Sequence, residues 1–445
     1  MRYKIIMVWI CILIPTAAVA TELSSLKSAV KSALEHAPSL QAAQAARDAA
    51  TEDITLGRAG LLPYVIAKGS ISRINQDFTY DRTSLPLSTR VRNNERLYGV
   101  KAYQPLFDVE KWALFQQGKI SAVTGELKLG MQRQQTILET AAAWLDVVRA
   151  QAALEAAKAS ELAMKRLAMQ AKAAFEVGTA AANDSLSAGS RHDLAKAQRI
   201  QASQILEQAE SQLNSLVGSD TAVSVDLKQG IKPIRAIPDK ISEWEQRAEE
   251  NAFAVQLSDQ AVAMADAGHL HAVGGALPKL QLVAGWERNI SSDGWFGGST
   301  VRGASIGIEV TMPLYTGGST WAEQRKTSKE KIRAEYNMIE SRRMARLYAH
   351  QSLLGLRTSA AEIAAFDAAV RSAASEKKAA QAAFEVGVRT ITEALDAEER
   401  LAITRQNYAD AVARHAMSFL QLNASAGDLN ELYISTIDGF LIDRE

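Results

Sequence analysis

Cysteine and proline are rare in this chain of 445 residues. The single cysteine, Cys11, lies in a short apolar segment near the N-terminus, so the rest of the chain can form neither an internal disulfide nor a thiolate metal site. The nine prolines include none between Pro105 and Pro233 and none after Pro313. Because proline breaks helix interiors, these gaps leave room for very long helical segments.

Aromatic residues make up only 6% of the chain, and charge of neither sign is in excess, with 50 basic and 50 acidic residues. An even charge balance argues against nucleic-acid binding, which usually requires a basic face. Alanine is abundant, which favours closely packed helices over a β-sandwich or a disordered chain.

The residue patterns of catalytic and cofactor sites are also missing. The six histidines include no HExxH spacing, and the chain has no glycine-rich phosphate loop and no nucleophile motif. His269 and His271, separated by one residue, form only a weak candidate for a metal site. We therefore predict no enzyme activity and no cofactor or metal.

The first 20 residues have the pattern of a secretory signal peptide. Arg2 and Lys4 precede an apolar run over 5–14, and Ala18-Val19-Ala20 follows it. The alternative is a membrane anchor, but ten apolar residues span only about 15 Å as a helix, half of a bilayer core of about 30 Å. The sequence therefore predicts cleavage after Ala20 and export of the remaining chain.

The chain is internally duplicated. The sequence Ala-Ala-Phe-Glu-Val-Gly at 173–178 returns at 382–387, and Gln-Leu-Asn at 212–214 returns at 421–423, with the same offset of 209 residues. The predicted divisions are a signal peptide (1–20), repeat 1 (21–220), a linker (221–240), repeat 2 (241–430) and a C-terminal tail (431–445).

Each repeat has the same predicted plan of an amphipathic helix, a β-hairpin and a long helical hairpin. The strands are predicted from alternation, which is cleanest over 304–312, where every second residue is apolar. The predicted first helices are 23–58 and 241–272, the β-hairpins 64–105 and 279–312, and the helical hairpins 112–217 and 320–426. The predicted strands are 64–74, 97–105, 279–288 and 303–312, with polar loops over 73–96 and 288–302.

The alternating strands need an apolar medium for one face. Apolar-out, polar-in alternation over about ten residues is typical of a transmembrane β-barrel strand. Four strands cannot close a barrel, and lipid does not tolerate an open sheet edge. The sequence therefore predicts that three copies contribute twelve strands to one barrel. The alternative is a soluble β-hairpin packed on helices.

The segment 386–397, together with the ordered duplication and the paired Phe-Glu-Val-Gly tips, resembles the TolC family of outer-membrane channel proteins. The resemblance covers about 26–429. It implies a mainly α fold with duplicated long coiled-coil hairpins, in which a homotrimer forms a twelve-stranded outer-membrane β-barrel and a twelve-helix periplasmic α-barrel. It also implies no catalytic activity.

The function implied by the resemblance is an exit duct for an inner-membrane transporter and a periplasmic adaptor. The segment 190–198 is similar to members that serve type I protein secretion, which favours that function over small-molecule efflux. A third possibility is a periplasmic coiled-coil adaptor or structural protein. Such adaptors usually have one helical hairpin and lack alternating strands.

The resemblance also implies a selectivity ring at the channel entrance, formed by Glu393 and Asp396. Spaced three apart, these two carboxylates share a helix face. Converging carboxylates at a constriction favour cations. The alternative is an ordinary solvated face.

A gate latch is implied for Arg389, which follows the tip glycine of repeat 2, together with Asn183 and Asp184 in repeat 1. Phe384 occupies a position where an aromatic hydroxyl often assists, and it cannot donate a hydrogen bond. We therefore expect a latch with fewer contacts.

The tips at Val177-Gly178 and Val386-Gly387 are predicted to dock the adaptor. A trimer presents six such tips, and a bare glycine permits close backbone approach.

Overall fold

The computed structural model describes residues 25–79, 88–218, 230–292 and 297–441. The predicted signal peptide 1–20 and linker residues 221–229 lie outside these ranges. The described elements are α1 (Leu26–His36), α2 (Pro38–Ala59), β1 (Tyr64–Thr79), β2 (Ser88–Phe107), α3 (Val109–Glu176), α4 (Ala182–Val217), α5 (Ile241–Asn251), α6 (Phe253–Gly274), β3 (Lys279–Ser291), β4 (Ser299–Thr311), α7 (Ser319–Glu385), α8 (Ile391–Ser425) and α9 (Glu431–Leu441).

The same element order occurs twice, as two short helices, a β-hairpin and a long helical hairpin. The longest helices, α3 and α7, contain 68 and 67 residues. At 1.5 Å per residue each is about 100 Å long. No helix in the part of the chain that the structure describes is both long and apolar enough to cross a membrane.

The prediction of one continuous helix at the start of each repeat is wrong. The helix breaks at Ala37 and again at Ala252, which have extended ψ angles of 118° and 131°. In repeat 1 the cause is Pro38, which lacks an N–H group and forces the preceding residue out of the helical region. In repeat 2 the break recurs before Phe253 without a proline.

The four strands form one antiparallel sheet in the order β1-β2-β3-β4. The strands extend further than predicted, because pairing continues to Thr79 with Ser88 and to Ser291 with Ser299. The predicted loops 73–96 and 288–302 are therefore mostly strand. Polar composition misled the prediction, since backbone pairing continues after the apolar alternation ends. Within the described residues, β1 and β4 each have one unpaired edge.

One face of the sheet is apolar and the other is polar. Ala284 lies opposite Ile306 and Leu282 opposite Ile308, so these side chains share a face. Ile306 is 76% exposed, so this apolar face is uncovered in the single chain. The opposite face includes an ion pair of 2.9 Å between Lys101 and Glu287. The predicted alternation is confirmed.

The main hydrophobic core lies between the helices, away from the sheet. Its largest fully buried side chains come from both repeats and from α9. They include Trp144, Leu26, Leu213, Leu353, Leu356, Leu420, Leu422, Ile434, Ile437 and Leu441.

The description of 431–445 as a tail is wrong for the first 11 of these residues, which form α9. Ile434, Ile437 and Leu441 are buried, at the spacing of one helix face. The Asp438 carboxylate accepts hydrogen bonds from the N–H groups of Leu26 and Lys27 at 2.7 and 3.1 Å. The last helix therefore caps the first one, because a helix N-terminus has unpaired N–H groups and favours negative charge.

His415 connects the end of the linker to the helical core through a buried hydrogen bond. It has no exposed surface, and its Nε2 accepts a hydrogen bond of 2.9 Å from the N–H of Ile234. Its Nδ1 lies 2.9 Å from the Ser359 hydroxyl. This arrangement requires a neutral imidazole, and burial lowers the pKa of His415 from 6.5 to about 4.

This pKa predicts a pH-dependent stability. Between pH 6.5 and about 4 the unfolded chain binds a proton at His415 that the folded chain excludes, so stability decreases as the pH falls through this window. From pH 7 to pH 5 the loss from this group is about 2 kcal/mol. Urea unfolding followed by tryptophan fluorescence at both pH values measures it.

The matched variants are His415→Gln, which removes the titration, and His36→Gln, which changes an exposed histidine. We expect a smaller pH-dependent loss only in His415→Gln. An equal loss in His415→Gln and in the unmodified protein would contradict this role.

Candidate functional site

The two helical hairpins turn through nearly identical backbone structures. In the first, the N–H groups of Gly178 and Thr179 donate to the carbonyls of Phe175 and Ala174 at 2.9 and 2.8 Å. In the second, Gly387 and Val388 donate to Phe384 and Ala383 at 3.0 and 2.9 Å. Both are Schellman motifs, and Gly178 and Gly387 have the positive φ angles of 76° and 78° that this motif requires.

The tips project into open space. A Cβ atom built on Gly178 or Gly387 would meet no atom within 4 Å. The neighbouring valines, Val177 and Val386, are each 74% exposed. The four residues predicted to dock a partner thus form two uncovered, apolar ends.

At the start of α8, Thr390 and Glu393 form a capping box. The Thr390 hydroxyl accepts from the Glu393 N–H at 3.4 Å, and the Glu393 carboxylate accepts from the Thr390 N–H at 2.9 Å. This structural role of Glu393 was not predicted, although Thr-x-x-Glu before a helix is its sequence signal. Glu393 is exposed, and one of its carboxylate oxygens is not used by the cap.

Asp396 forms an ion pair that connects the two hairpins. Its carboxylate lies 2.5 Å from the guanidinium of Arg191 on α4, and Glu399 lies 3.6 Å from the same guanidinium. The side chains of Arg191 and Asp396 are 29% and 45% exposed. Sequence reasoning missed Arg191 because its partner is 205 residues away, and no local pattern indicates such a pair.

Beneath this ion pair lies a second, smaller hydrophobic cluster that joins both hairpins. It is separate from the main core and includes the partly buried ring of Phe384. The phenyl ring of Phe384 therefore contributes apolar packing to this cluster. The buried members are Met164, Leu167 and Ala171 from α3, Ala188 and Ala195 from α4, and Ile391, Ala394 and Leu395 from α8.

The predicted latch residues lie at the same end of the molecule. Asp184 is half-buried in the first turn of α4, next to exposed Asn183, and exposed Arg389 lies between α7 and α8. Within the described part of the chain, Arg389 pairs with neither of the other two. The latch stays a prediction.

The weak metal candidate has another role in the structure. His269 lies on α6, with its Nδ1 3.0 Å from the Thr327 hydroxyl. Among the residues that the structure describes, no group of three or more His, Cys, Asp or Glu side chains could hold a metal ion.

An open sheet with one apolar face, joined to two 100 Å helical hairpins, defines the class of channel-forming export proteins. The sequence matches the outer membrane efflux protein family over residues 29–219 and 244–428. The chain therefore belongs to this family and is an outer-membrane channel protein. The predictions of family, fold class and location are confirmed.

Individual relatives support this assignment over nearly the whole chain. The chain is 27% identical to the outer membrane protein TolC of Vibrio cholerae over 98% of both chains. It is 25% identical to the alkaline protease secretion protein AprF of Pseudomonas aeruginosa, covering 93% of this chain and 86% of AprF. The crystal structure of a membrane protein from Pseudomonas aeruginosa superposes with a TM-score of 0.79 at 19% identity, over 91% of both chains, and shows the same fold.

The link between Arg191 and Asp396 predicts a measurable coupling between the hairpins. Because both side chains are partly exposed, we expect a coupling of roughly 0.5 to 1 kcal/mol in a double-mutant cycle of Arg191→Ala and Asp396→Ala. Hydrogen exchange of the amides in the first two turns of α8 measures it. As a control, the more exposed pair Glu155 and Lys158 on α3 should give about 0.3 kcal/mol in the amides of α3. Additive effects at Arg191 and Asp396 would refute the link.

Proposed function

We propose that this protein is the outer-membrane exit duct of a tripartite export system. The observation that carries the proposal is the sheet, which has an exposed apolar face and, among the described residues, two unpaired edges. Lipid accepts such a face but not such edges. Three copies joined edge to edge satisfy both demands with a barrel of twelve strands, and their long helices continue the channel into the periplasm.

In this assembly the strands contact outer-membrane lipid, and the helix tips lie about 100 Å away on the periplasmic side. The tips then contact a periplasmic adaptor, which connects the duct to an inner-membrane transporter. The exposed valines at the tips offer this adaptor an apolar contact. No nucleic acid is involved.

Type I protein secretion is the favoured use of the duct. Its support is the similarity of the segment 190–198 and the relationship to AprF, whose name describes alkaline protease secretion. Small-molecule efflux is the alternative, supported by the family description. The second alternative, a periplasmic coiled-coil adaptor or structural protein, gives no role to a sheet with an exposed apolar face.

Deleting the gene for this protein in the native organism should distinguish protein secretion from small-molecule efflux. We expect loss of at least one protein from the culture medium, with little change in susceptibility to small antibiotics. Proteomics of the medium and inhibitory concentrations measure both. Complementation with the intact chain is the control. Increased susceptibility with an unchanged medium would favour efflux.

The closed entrance is proposed to depend on Arg389. Its guanidinium is exposed and has no partner within the described chain, so in the trimer it can reach Asp184 and Asn183 of a neighbouring copy. Arginine can bind a carboxylate through two parallel hydrogen bonds, which fixes geometry as well as charge. Exposed ion pairs contribute only about 0–1 kcal/mol each, so three of them bias a gate without locking it.

Glu393 and Asp396 are proposed to set the ion preference behind this latch. Arg191 offsets part of the negative charge of Asp396, whereas Glu393 has no cationic partner in the described chain. We therefore expect Glu393 to contribute the larger share of the cation selectivity.

Planar-bilayer recordings test the latch and the ring separately. Arg389→Ala or Asp184→Ala should raise single-channel conductance, because the entrance loses a closing contact. Glu393→Gln combined with Asp396→Asn should reduce cation selectivity with little change in opening. Glutamine at 393 keeps an acceptor for the capping box.

Lys378→Ala and Glu385→Gln are matched controls, because both residues are exposed near the tip of α7 and have no ion-pair partner among the described residues. Unchanged conductance in Arg389→Ala would place the latch elsewhere. Unchanged selectivity in the ring variant would make the carboxylates a solvated face.

Adaptor docking at the tips can be tested without straining the turns. A side chain at Gly178 or Gly387 has free space but an unfavourable positive φ, so the neighbouring valines are the better targets. Val177→Glu with Val386→Glu should abolish export while leaving trimer assembly intact, because both positions are solvent-exposed in the chain. Leu432→Glu, also an exposed apolar position, is the control. Normal export in the double variant would exclude docking through these residues.

A further inference from the structure

A patch of arginines lies on the apolar face of the sheet. It is near the strand tips, which are the end of the sheet where β1 and β3 end and β2 and β4 begin. Because side chains alternate along a strand, residues paired across strands share a face. Arg302 follows the same alternation as Ile306 and Ile308, so its side chain is on the apolar face. The arginine patch comprises Arg73, Arg92, Arg96, Arg288 and Arg302, and all five residues are exposed.

The register places these arginines in successive rows. Arg288 lies directly opposite Arg302, and Tyr98 lies opposite Arg288 in the same row. Arg96 is in the next row, opposite Ile290, and the rows beyond it contain Arg73 and Arg92. The patch thus begins where the apolar residues of this face end and extends toward the strand tips.

The arginines of the patch are not paired with carboxylates among the residues that the structure describes. In the part of the chain that the structure describes, none of the five guanidinium groups forms an ion pair or a side-chain hydrogen bond. The carboxylates of Glu95 and Glu287 are on the opposite face, whereas Asp77 is on the same face, in the row next to Arg92 and three or more rows from Arg96, Arg288 and Arg302. Like charges directly opposite each other destabilise a sheet, so Arg288 and Arg302 point to an anion from outside the chain.

The depth of the patch identifies the kind of anion. Arg302 lies ten residues before Met312, the residue directly after β4, which is about 33 Å of extended chain. For a strand tilted by about 40° this is about 25 Å across the membrane, the height of the apolar band of an outer-membrane barrel. At the other margin, Tyr315 and Trp321 are 87% and 69% exposed, as expected for an aromatic girdle. In a sheet inserted in this way, the arginines lie at the level of lipid headgroups.

We propose that the arginine patch binds the phosphorylated headgroups of lipids in the leaflet that surrounds the strand tips. Arginine suits this partner because its planar guanidinium binds phosphate oxygens through two hydrogen bonds, while its aliphatic stem lies along apolar surface. Five arginines per chain on one face form a basic belt around a trimer. The inference rests on the proposed insertion of the sheet into the outer membrane.

The test uses the full-length trimer in detergent, titrated with lipid A, a diphosphorylated glycolipid, and followed by native mass spectrometry. Arg288→Gln with Arg302→Gln should weaken lipid A binding by about 25-fold, about fivefold for each charge removed. Arg288→Lys with Arg302→Lys should retain most of the affinity, because the charge is kept. The control is Arg133→Gln with Arg343→Gln, which removes two exposed arginines from the helices and should change nothing.

Further measurements distinguish lipid phosphate from free phosphate. They also distinguish failure of the lipid-binding proposal from failure of the proposed channel function. Phosphatidylcholine should bind the protein and the Gln variant equally, and inorganic phosphate should not displace lipid A at equal concentration. Equal lipid A affinity in the patch and control variants, or displacement by free phosphate, would overturn the proposal. Channel conductance in phosphatidylcholine bilayers should be the same for the unmodified protein and the Gln variant. A protein that forms no channel would instead contradict the proposed function.

Discussion

The architecture depends on one constraint, which is that every backbone hydrogen-bonding group must be paired inside lipid. In the part of the chain that the structure describes, the sheet meets this condition between its strands but not at the outer edges of β1 and β4. Its apolar face, with Ile306 and Ile308 largely exposed, is unsuited to water as a continuous surface. Edge-to-edge closure by further copies would pair the open edges, and surrounding lipid would cover the apolar face. In the proposed trimer the long helices of the three copies would surround the same axis as the strands and form a tube.

The helical part of the molecule is more extensively packed at its main core than near the helix tips. The main core, closed by α9 and by the linker at His415, holds α3 and α7 near their middle and α4 and α8 toward their C-terminal ends. The ends near the tips have a smaller hydrophobic cluster and ion pairs such as Arg191–Asp396 and Lys377–Glu398. Few buried contacts mean a low local stability, which is the physical condition for a part that moves. The proposed entrance would therefore lie where the structure opens most easily.

Much of this structure could be predicted from the sequence because its signals are periodic. The alternation around Ile306 predicted the strands, and the repeated Val-Gly predicted the two hairpin tips. The break at Ala37 was missed although Pro38 signals it, and α9 was missed because a short helix next to the C-terminus reads as a tail. Arg191 with Asp396 and His415 with Ile234 could not be predicted, since each contact joins residues that only tertiary packing brings together.

The central claim is that three copies complete one barrel through the edges of β1 and β4. The most direct measurement is the mass of the detergent-solubilised protein by light scattering, corrected for bound detergent. We expect three chains per particle and no soluble form without detergent, because the apolar face and open edges exclude a stable single chain. A folded monomer that stays soluble after the detergent is removed would contradict the account.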